Sequence, residues 1–326
     1  MGSILTKLRT TLKYIAPHTL KIFLSEHDWF DHGSPCHTFP IPKKSENAYS
    51  RKLEQATVPT TTSESFALQR TMKFNYRQAI GELIYAMVTC RPDISFPLIK
   101  LSQYSTNPAR EHYEAVQDIF KYLSCTKTDG IHFWRRHSNK NLPSPYETFD
   151  IEDTIHEATI QDIPSKLKSA VDADWGGDVT HRRSVAGFVL KLAGGAIYYK
   201  TRFQPTVALS STEAEFSAAC DAGKAILYVS SILDQLGVNQ DSATILHIDN
   251  NGALNMANQQ QPTKYTRHID IKHYAIQDWV EKDLLFLRRI SSSANYADAL
   301  TKPLGRTLHH RHMDYIMGRV KPSYSL

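Results

Sequence analysis

Apolar residues recur at helical spacing from Tyr76 to Met87, placing Ile80, Leu83, Ile84 and Met87 on one face of a predicted helix. Pro92 interrupts the period. A second helix is expected from Ile94 to Tyr104, with Pro97 tolerable because it falls in the first turn. Asn107-Pro108 marks the next start, and His112 to Leu123 reads as a third helix. Ile131-His132-Phe133-Trp134 resembles a short strand. Further along, the period changes. Lys166 to Asp172, Ser184 to Leu192 and Ala196 to Arg202 read as three short strands, with Gly194-Gly195 as a hairpin turn between the last two. A long amphipathic helix follows, carrying Phe216, Cys220, Gly223, Ile226 and Leu227 on one face. Then come a strand from Ala243 to Asp249, helices at Gly252 to Asn258 and Ile271 to Glu281, a strand from Leu284 to Ile290, and a last helical turn from Tyr296 to Lys302. That order predicts a mixed α/β domain of about 140 residues behind a mainly helical module.

Three polar stretches punctuate the chain. Pro42 to Ser65 shows neither a helical nor an alternating period. Ser138 to Pro164, with Pro143, Pro145 and the acidic run Asp150-Ile151-Glu152-Asp153, reads as a linker. Arg306 onward is basic. The expected division is therefore a helical module over residues 1–137, a linker over 138–164, the α/β domain over 165–305 and a basic tail over 306–326.

Composition narrows the class. With 326 residues the chain has room for two domains at about 100–200 residues each. Hydrophobic residues at 41% and charged residues at 22% exclude a disordered tail and a membrane protein. Uninterrupted apolar runs such as Ile84-Tyr85-Ala86-Met87-Val88 fall far short of the roughly 20 residues a bilayer requires, so no membrane partner is expected. Met1 to Leu5 shows no basic stretch leading into an apolar one, and no signal peptide is expected. The four cysteines, Cys36, Cys90, Cys125 and Cys220, form no Cys-x-x-Cys pair. They argue against a disulfide framework or zinc finger and suit a reducing, intracellular compartment, cytoplasmic or nuclear. A net charge of +5 permits nucleic-acid binding without establishing it.

Four carboxylates sit where predicted elements end or begin: Asp172 at the end of the first strand, Glu215 at the start of the long helix, Asp249 at the end of the fourth strand and Asp298 in the last turn. If those ends converge, the cluster repels itself unless cations neutralise it. Oxygen ligands favour Mg2+ or Mn2+. Two such ions about 3.5–4 Å apart can activate a water and stabilise the leaving oxygen of a phosphodiester. Taken singly, structural roles compete. Glu213 and Glu215 each fit a capping box, from Ser210 and Thr212. Asp249 suits a turn or helix cap and Asp298 suits first-turn dipole chemistry. Asp172, behind Ala170-Val171, is the hardest to explain structurally, because an unpaired buried carboxylate is costly.

Taken together, the motifs resemble the copia-type retrotransposon polyprotein. Tyr76-Arg77-Gln78-Ala79-Ile80-Gly81-Glu82-Leu83-Ile84-Tyr85, Arg91-Pro92-Asp93-Ile94, His112-Tyr113-Glu114-Ala115 and Lys121-Tyr122-Leu123 are similar to the region just after its reverse-transcriptase active site. The second domain is similar to its ribonuclease H. It carries Asp172-Ala173-Asp174-Trp175, Arg182-Arg183-Ser184-Val185-Ala186-Gly187 and the run from Gln204 to Glu215. Asp249-Asn250, Arg267-His268-Ile269-Asp270-Ile271 and Ala297-Asp298-Ala299-Leu300-Thr301-Lys302-Pro303 complete the set.

The resemblance implies a ribonuclease H-like mixed sheet with flanking helices behind a thumb- or connection-like module of a reverse transcriptase. Its catalytic and metal-binding carboxylates fall on Asp172, Glu215, Asp249 and Asp298, with Glu213 the alternative to Glu215. It implies two Mg2+ or Mn2+ ions and cleavage of the RNA strand of an RNA–DNA hybrid. Arg182, Arg183, Lys200, Arg202 and Arg267 are candidates for holding phosphates, or simply a solvated face. The tail either adds non-specific affinity or is a disordered end. The chain has no Asp-Asp pair, so polymerase activity is not expected of it, and a palm would have to come from another chain. Many ribonucleases H carry a histidine before the last carboxylate, whereas Ser291-Ser292-Ser293-Ala294-Asn295 has none; His268 and His273 read as surface or packing residues. A competing expectation is a catalytically silent remnant that at most binds nucleic acid.

Overall fold

The computed structural model describes residues 52–133, 166–178, 181–238, 240, 242–258 and 270–319, with the side chains of 258 and 270–273 outside that set. The predicted linker over 138–164 lies outside the described residues, as do Trp134, Cys36, Arg267 and His268. Contacts divide the described chain into two compact units. The first runs to Gly130 and includes Pro303–Leu308; the second comprises Ile131–Lys302 and His309 onward.

In the first unit, α1 (Thr62–Met72) is a helix that the polar composition concealed, since none of its residues is buried. Its signal is local: Glu64 N donates to Thr61 Oγ1 at 3.2 Å and Thr61 N donates back to Glu64 Oε2 at 3.4 Å, a capping box. Helices α2 (Tyr76–Cys90), α3 (Ser95–Ser102) and α4 (Arg110–Cys125) match the three predicted ones. They bury Ile80, Leu83, Met87, Leu98, Val116, Ile119 and Phe120 in one core. Ile84, predicted on the buried face, is 37% exposed because the covered stripe runs through Ile80, Leu83 and Met87.

Between α2 and α3 lies a buried ion pair. Arg91 Nε and Nη2 donate to Asp93 at 2.9 and 2.7 Å, and Nη1 and Nη2 donate to Thr126 O and Oγ1 at 3.0 and 2.7 Å. Tyr122 OH donates to Asp93 Oδ2 at 2.7 Å. Arg91 and Asp93 are each 2% exposed, so the pair ties α4 to the start of α3 with every partner supplied internally. Removing one member of such a pair strands the other. Asp93→Ala is expected to destabilise this unit by about 3–5 kcal/mol, read from its urea unfolding transition.

The second unit is built on a five-stranded sheet in the order β3-β2-β1-β4-β5. Its strands are β1 (Lys168–Asp174), β2 (Val185–Leu192), β3 (Gly195–Phe203), β4 (Thr244–Ile248) and β5 (Leu285–Arg289). The first three pair antiparallel, while β4 runs parallel to β1 and β5 parallel to β4. Mixed pairing with helices against the sheet is the ribonuclease H-like arrangement the motifs implied. The hairpin turn sits one residue before its predicted place. Leu192 pairs with Gly195, leaving Ala193 (φ 53) and Gly194 (φ 86) as the central residues. Positive φ at both matches the right-handed twist of the strands.

Helix α5 (Ser211–Gln235) crosses back between the hairpin and β4, as a parallel neighbour requires. By length and composition alone it could cross a membrane. It instead buries Phe216, Ala219, Cys220, Ile226 and Leu233 in the core of the sheet domain. Helices α6 (Asn251–Asn258) and α7 (Asp270–Glu281) follow β4. Two expectations are corrected. Ile131–Phe133 forms no strand, because His132 N donates to Met317 O at 2.7 Å, a turn residue rather than a ladder partner. The supposed basic tail begins with a helix, α8 (Arg306–Ile316), that buries His309, His312, Met313 and Ile316 at successive helical positions.

Candidate active site

Asp172 lies inside β1 rather than at its end, because Ala173 and Asp174 continue the pairing with Ala186 and Val185. Its register partner is Gly187. Glu215 sits just past the first turn of α5, and Asp249 directly follows β4. A ligand oxygen from each of Asp172, Glu215 and Asp249 lies within 4.8 Å of the other two. The bland alternatives fall to neighbours. Glu213 N donates to the N-cap Ser210 Oγ at 3.1 Å, and Glu213 Oε2 accepts from Leu209 N at 2.7 Å, so Glu213 caps the helix while Glu215 enters the cluster. Asn250 Oδ1, not Asp249, caps α6 by accepting from Ala253 N at 2.9 Å.

Asp298 arrives on a 3-10 turn, Tyr296–Leu300. Asn295, fully buried, anchors that turn. Its Nδ2 donates to Val171 O in β1 at 3.0 Å, and its Oδ1 accepts from Ala297 N at 3.2 Å. Thr301 Oγ1 donates to Asp172 Oδ2. Lys302 Nζ stands 2.9 Å from Asp298 Oδ2 and 3.6 Å from Asp172 Oδ1. The turn closes this tightly because position 187 has no side chain: a Cβ there would meet Thr301 Cγ2 at 2.7 Å and Leu300 Cβ at 3.0 Å. Asn295, Thr301, Lys302 and Gly187 were not singled out from sequence. Lys302 had a signal, since it stands four residues after Asp298.

Burial dominates the electrostatics. It pushes Glu215 up to about 9, with the Asp172 charge adding to it, and Asp298 up to about 8 for the same reasons, against the pull of Lys302. Asp172 is also raised by burial, although Lys302 and Thr301 act the other way. Glu215 Oε2 and Asp298 Oδ1 are buried without a hydrogen-bond partner among the described residues. Hard oxygen donors left open in a group of like charges fit a divalent ion such as Mg2+ or Mn2+.

The cationic candidates divide. Arg182 and Arg183 are exposed in the connection between β1 and β2, and Lys200 is exposed on β3. Arg202 is instead ion-paired with Asp221 of α5. Arg267 lies outside the described residues, and so does the side chain of His273.

Two outcomes follow from this geometry. In the metal-free chain, Glu215 and Asp298 keep protons to about 9 and 8, against ordinary values of 4.5 and 3.8. The folded state therefore binds more protons than the unfolded one, and stability falls as pH rises through that window. His312, held down to about 4 by burial, acts in the opposite sense but only below its ordinary 6.5. Thermal melts without metal are expected to decline from about pH 7 to pH 9, and excess Mg2+ to flatten the decline. A flat metal-free profile would contradict the clustering. Gly187→Ala is expected to cost about 1–3 kcal/mol in urea unfolding, because its methyl must displace the Thr301 turn.

No family model matches the chain. It is 33% identical over 255 residues to the retrovirus-related Pol polyprotein from transposon TNT 1-94 of Nicotiana tabacum, covering 78% of this chain. It is 29% identical over 272 residues to the corresponding polyprotein from transposon RE1 of Arabidopsis thaliana, covering 82% of this chain. The chain spans 17% of the length of each of these polyproteins. The solved structure of LC11-RNase H1, isolated from compost by a metagenomic approach, covers 42% of this chain and 93% of its own at 16% identity and a TM-score of 0.33. At that score the fold assignment rests on the strand order and pairing of the chain itself. The polyprotein matches agree with the motifs from Tyr76 to Pro303, and the chain belongs to the retrovirus-related Pol polyproteins of copia-type transposons.

Proposed function

We propose that the second unit is a metal-dependent endoribonuclease that cuts the RNA strand of RNA–DNA hybrids as part of a retrotransposon polyprotein. The observation that carries this reading is the approach of Asp172, Glu215 and Asp249 to within 4.8 Å at their ligand atoms. Asp298 joins them through Lys302. These four carboxylates would hold the ions, which when bound supply an activated water and charge stabilisation for the leaving oxygen of the phosphodiester. The side chains do the positioning. Thr301 fixes one oxygen of Asp172, and Asn295 fixes the turn that presents Asp298. Arg182, Arg183 and Lys200 are exposed and suited to hold backbone phosphates, while the 2′-hydroxyl distinguishes the strand to be cut. Arg202, already neutralised by Asp221, is less suited.

In the same reading, the first unit corresponds to the reverse-transcriptase region beyond the palm, with a palm supplied by another chain. The helices α2 to α4, packed on one core, agree with the mainly helical module that the resemblance implies. The test is incubation of the purified chain with a labelled RNA–DNA hybrid and Mg2+ or Mn2+. The RNA strand is expected to be cut, and Asp249→Asn to lower the rate by more than about 100-fold, the scale of single groups that stabilise transition-state charge. A folded wild-type chain that binds the hybrid without cutting it would point to a non-catalytic nucleic-acid-binding protein.

A further inference from the structure

The four carboxylates do not form one symmetrical group. Ligand oxygens of Asp172, Glu215 and Asp249 lie within 4.8 Å of one another, whereas Asp298 faces the Lys302 ammonium at 2.9 Å. The same ammonium lies 3.6 Å from the second oxygen of Asp172, so Asp172 stands between two cation positions, one lined by acids and one filled by lysine. The acid side chains are sealed, at 2% exposure for Asp172 and 5% for Asp298, while that of Lys302 is 33% exposed. Lysine can therefore leave toward solvent without unfolding the turn that carries it. Glu215 Oε2, by contrast, is buried with no hydrogen-bond partner among the described residues, so the contacts of lysine fall on Asp298 and Asp172.

We propose that Lys302 is a tethered counter-ion occupying the position of one of the two divalent cations, so that the nucleic-acid-free protein holds a single ion on Asp172, Glu215 and Asp249. This rests on the metal-dependent reading above. A second ion then enters only as Lys302 swings out, which couples its loading to the arrival of a phosphate able to receive the displaced ammonium. A plain surface ion pair between residues four apart would add modest stability and leave ion number unchanged.

Counting bound Mn2+ separates the two. The full chain without nucleic acid is titrated with Mn2+ by calorimetry, and the bound ions are examined by electron paramagnetic resonance. The expected result is one isolated Mn2+ for the wild type, two spin-coupled ions for Lys302→Met and one for Lys302→Arg, which keeps the charge. Two ions in the wild type, or one in Lys302→Met at wild-type affinity, overturns the lysine assignment and leaves the metal-dependent reading standing. No ion in any folded variant overturns both. If Lys302→Met folds only when Mn2+ is present, the number of ions it then holds decides. If it folds under neither condition, Lys302→Gln is counted in its place, with two ions expected and one at wild-type affinity overturning the assignment.

Discussion

The second unit is organised around like charges forced together out of water. Two carboxylates about 4 Å apart repel by roughly 4 kcal/mol at an effective dielectric near 20, and burial adds the loss of hydration. Nothing in folding alone favours that arrangement. The chain meets it with protons and with lysine: Glu215 and Asp298 are pushed into the range about 8–9, and Lys302 lies against Asp298 and Asp172. Sites that hold such strain are usually where chemistry is done, because a cation arriving from outside then binds with the repulsion it relieves.

The rest of the unit supplies rigidity for that cluster. Parallel pairing of β1 and β4 brings the C-terminal ends of both strands to the same end of the sheet, and α5, the crossover between the hairpin and β4, begins there as well. Three elements distant in sequence thus deliver Asp172, Asp249 and Glu215 to one place. The fourth carboxylate depends on finer contacts: the amide of Asn295 on the backbone of β1, the hydroxyl of Thr301 on Asp172 and the missing side chain of Gly187. Each is a short-range constraint on where Asp298 and Asp172 can sit, the kind of support that a precise ion site requires.

The first unit shows the same economy put to structural use. Arg91 and Asp93, two residues of a family motif, form a fully satisfied buried ion pair with Tyr122 and Thr126 rather than a surface for chemistry. Arg202 in the second unit is comparable: a basic residue that reads as a phosphate ligand is paired with Asp221. Charge in a sequence says nothing about whether its partner is inside the protein or outside it.

The sequence by itself determined the strong periodic elements. The helices over α2, α4 and α5 and the strands of the sheet follow from apolar spacing, which burial enforces directly. It also drew attention to Asp172, Glu215, Asp249 and Asp298, although Asp172 proved to lie inside β1 rather than at its end. Weak periodicity hid α1, which rests only Leu68 and Met72, partly buried, against the core, and basic composition hid α8, whose buried stripe includes two histidines. The tertiary structure alone decided that Glu215 and not Glu213 enters the cluster, that Lys302 sits beside Asp298 and Asp172, and that Arg202 is neutralised. Those outcomes turn on distances between side chains far apart in the chain. Local spacing carries no record of such distances, because they are set by which strands pair and which residue at the crossing has no side chain.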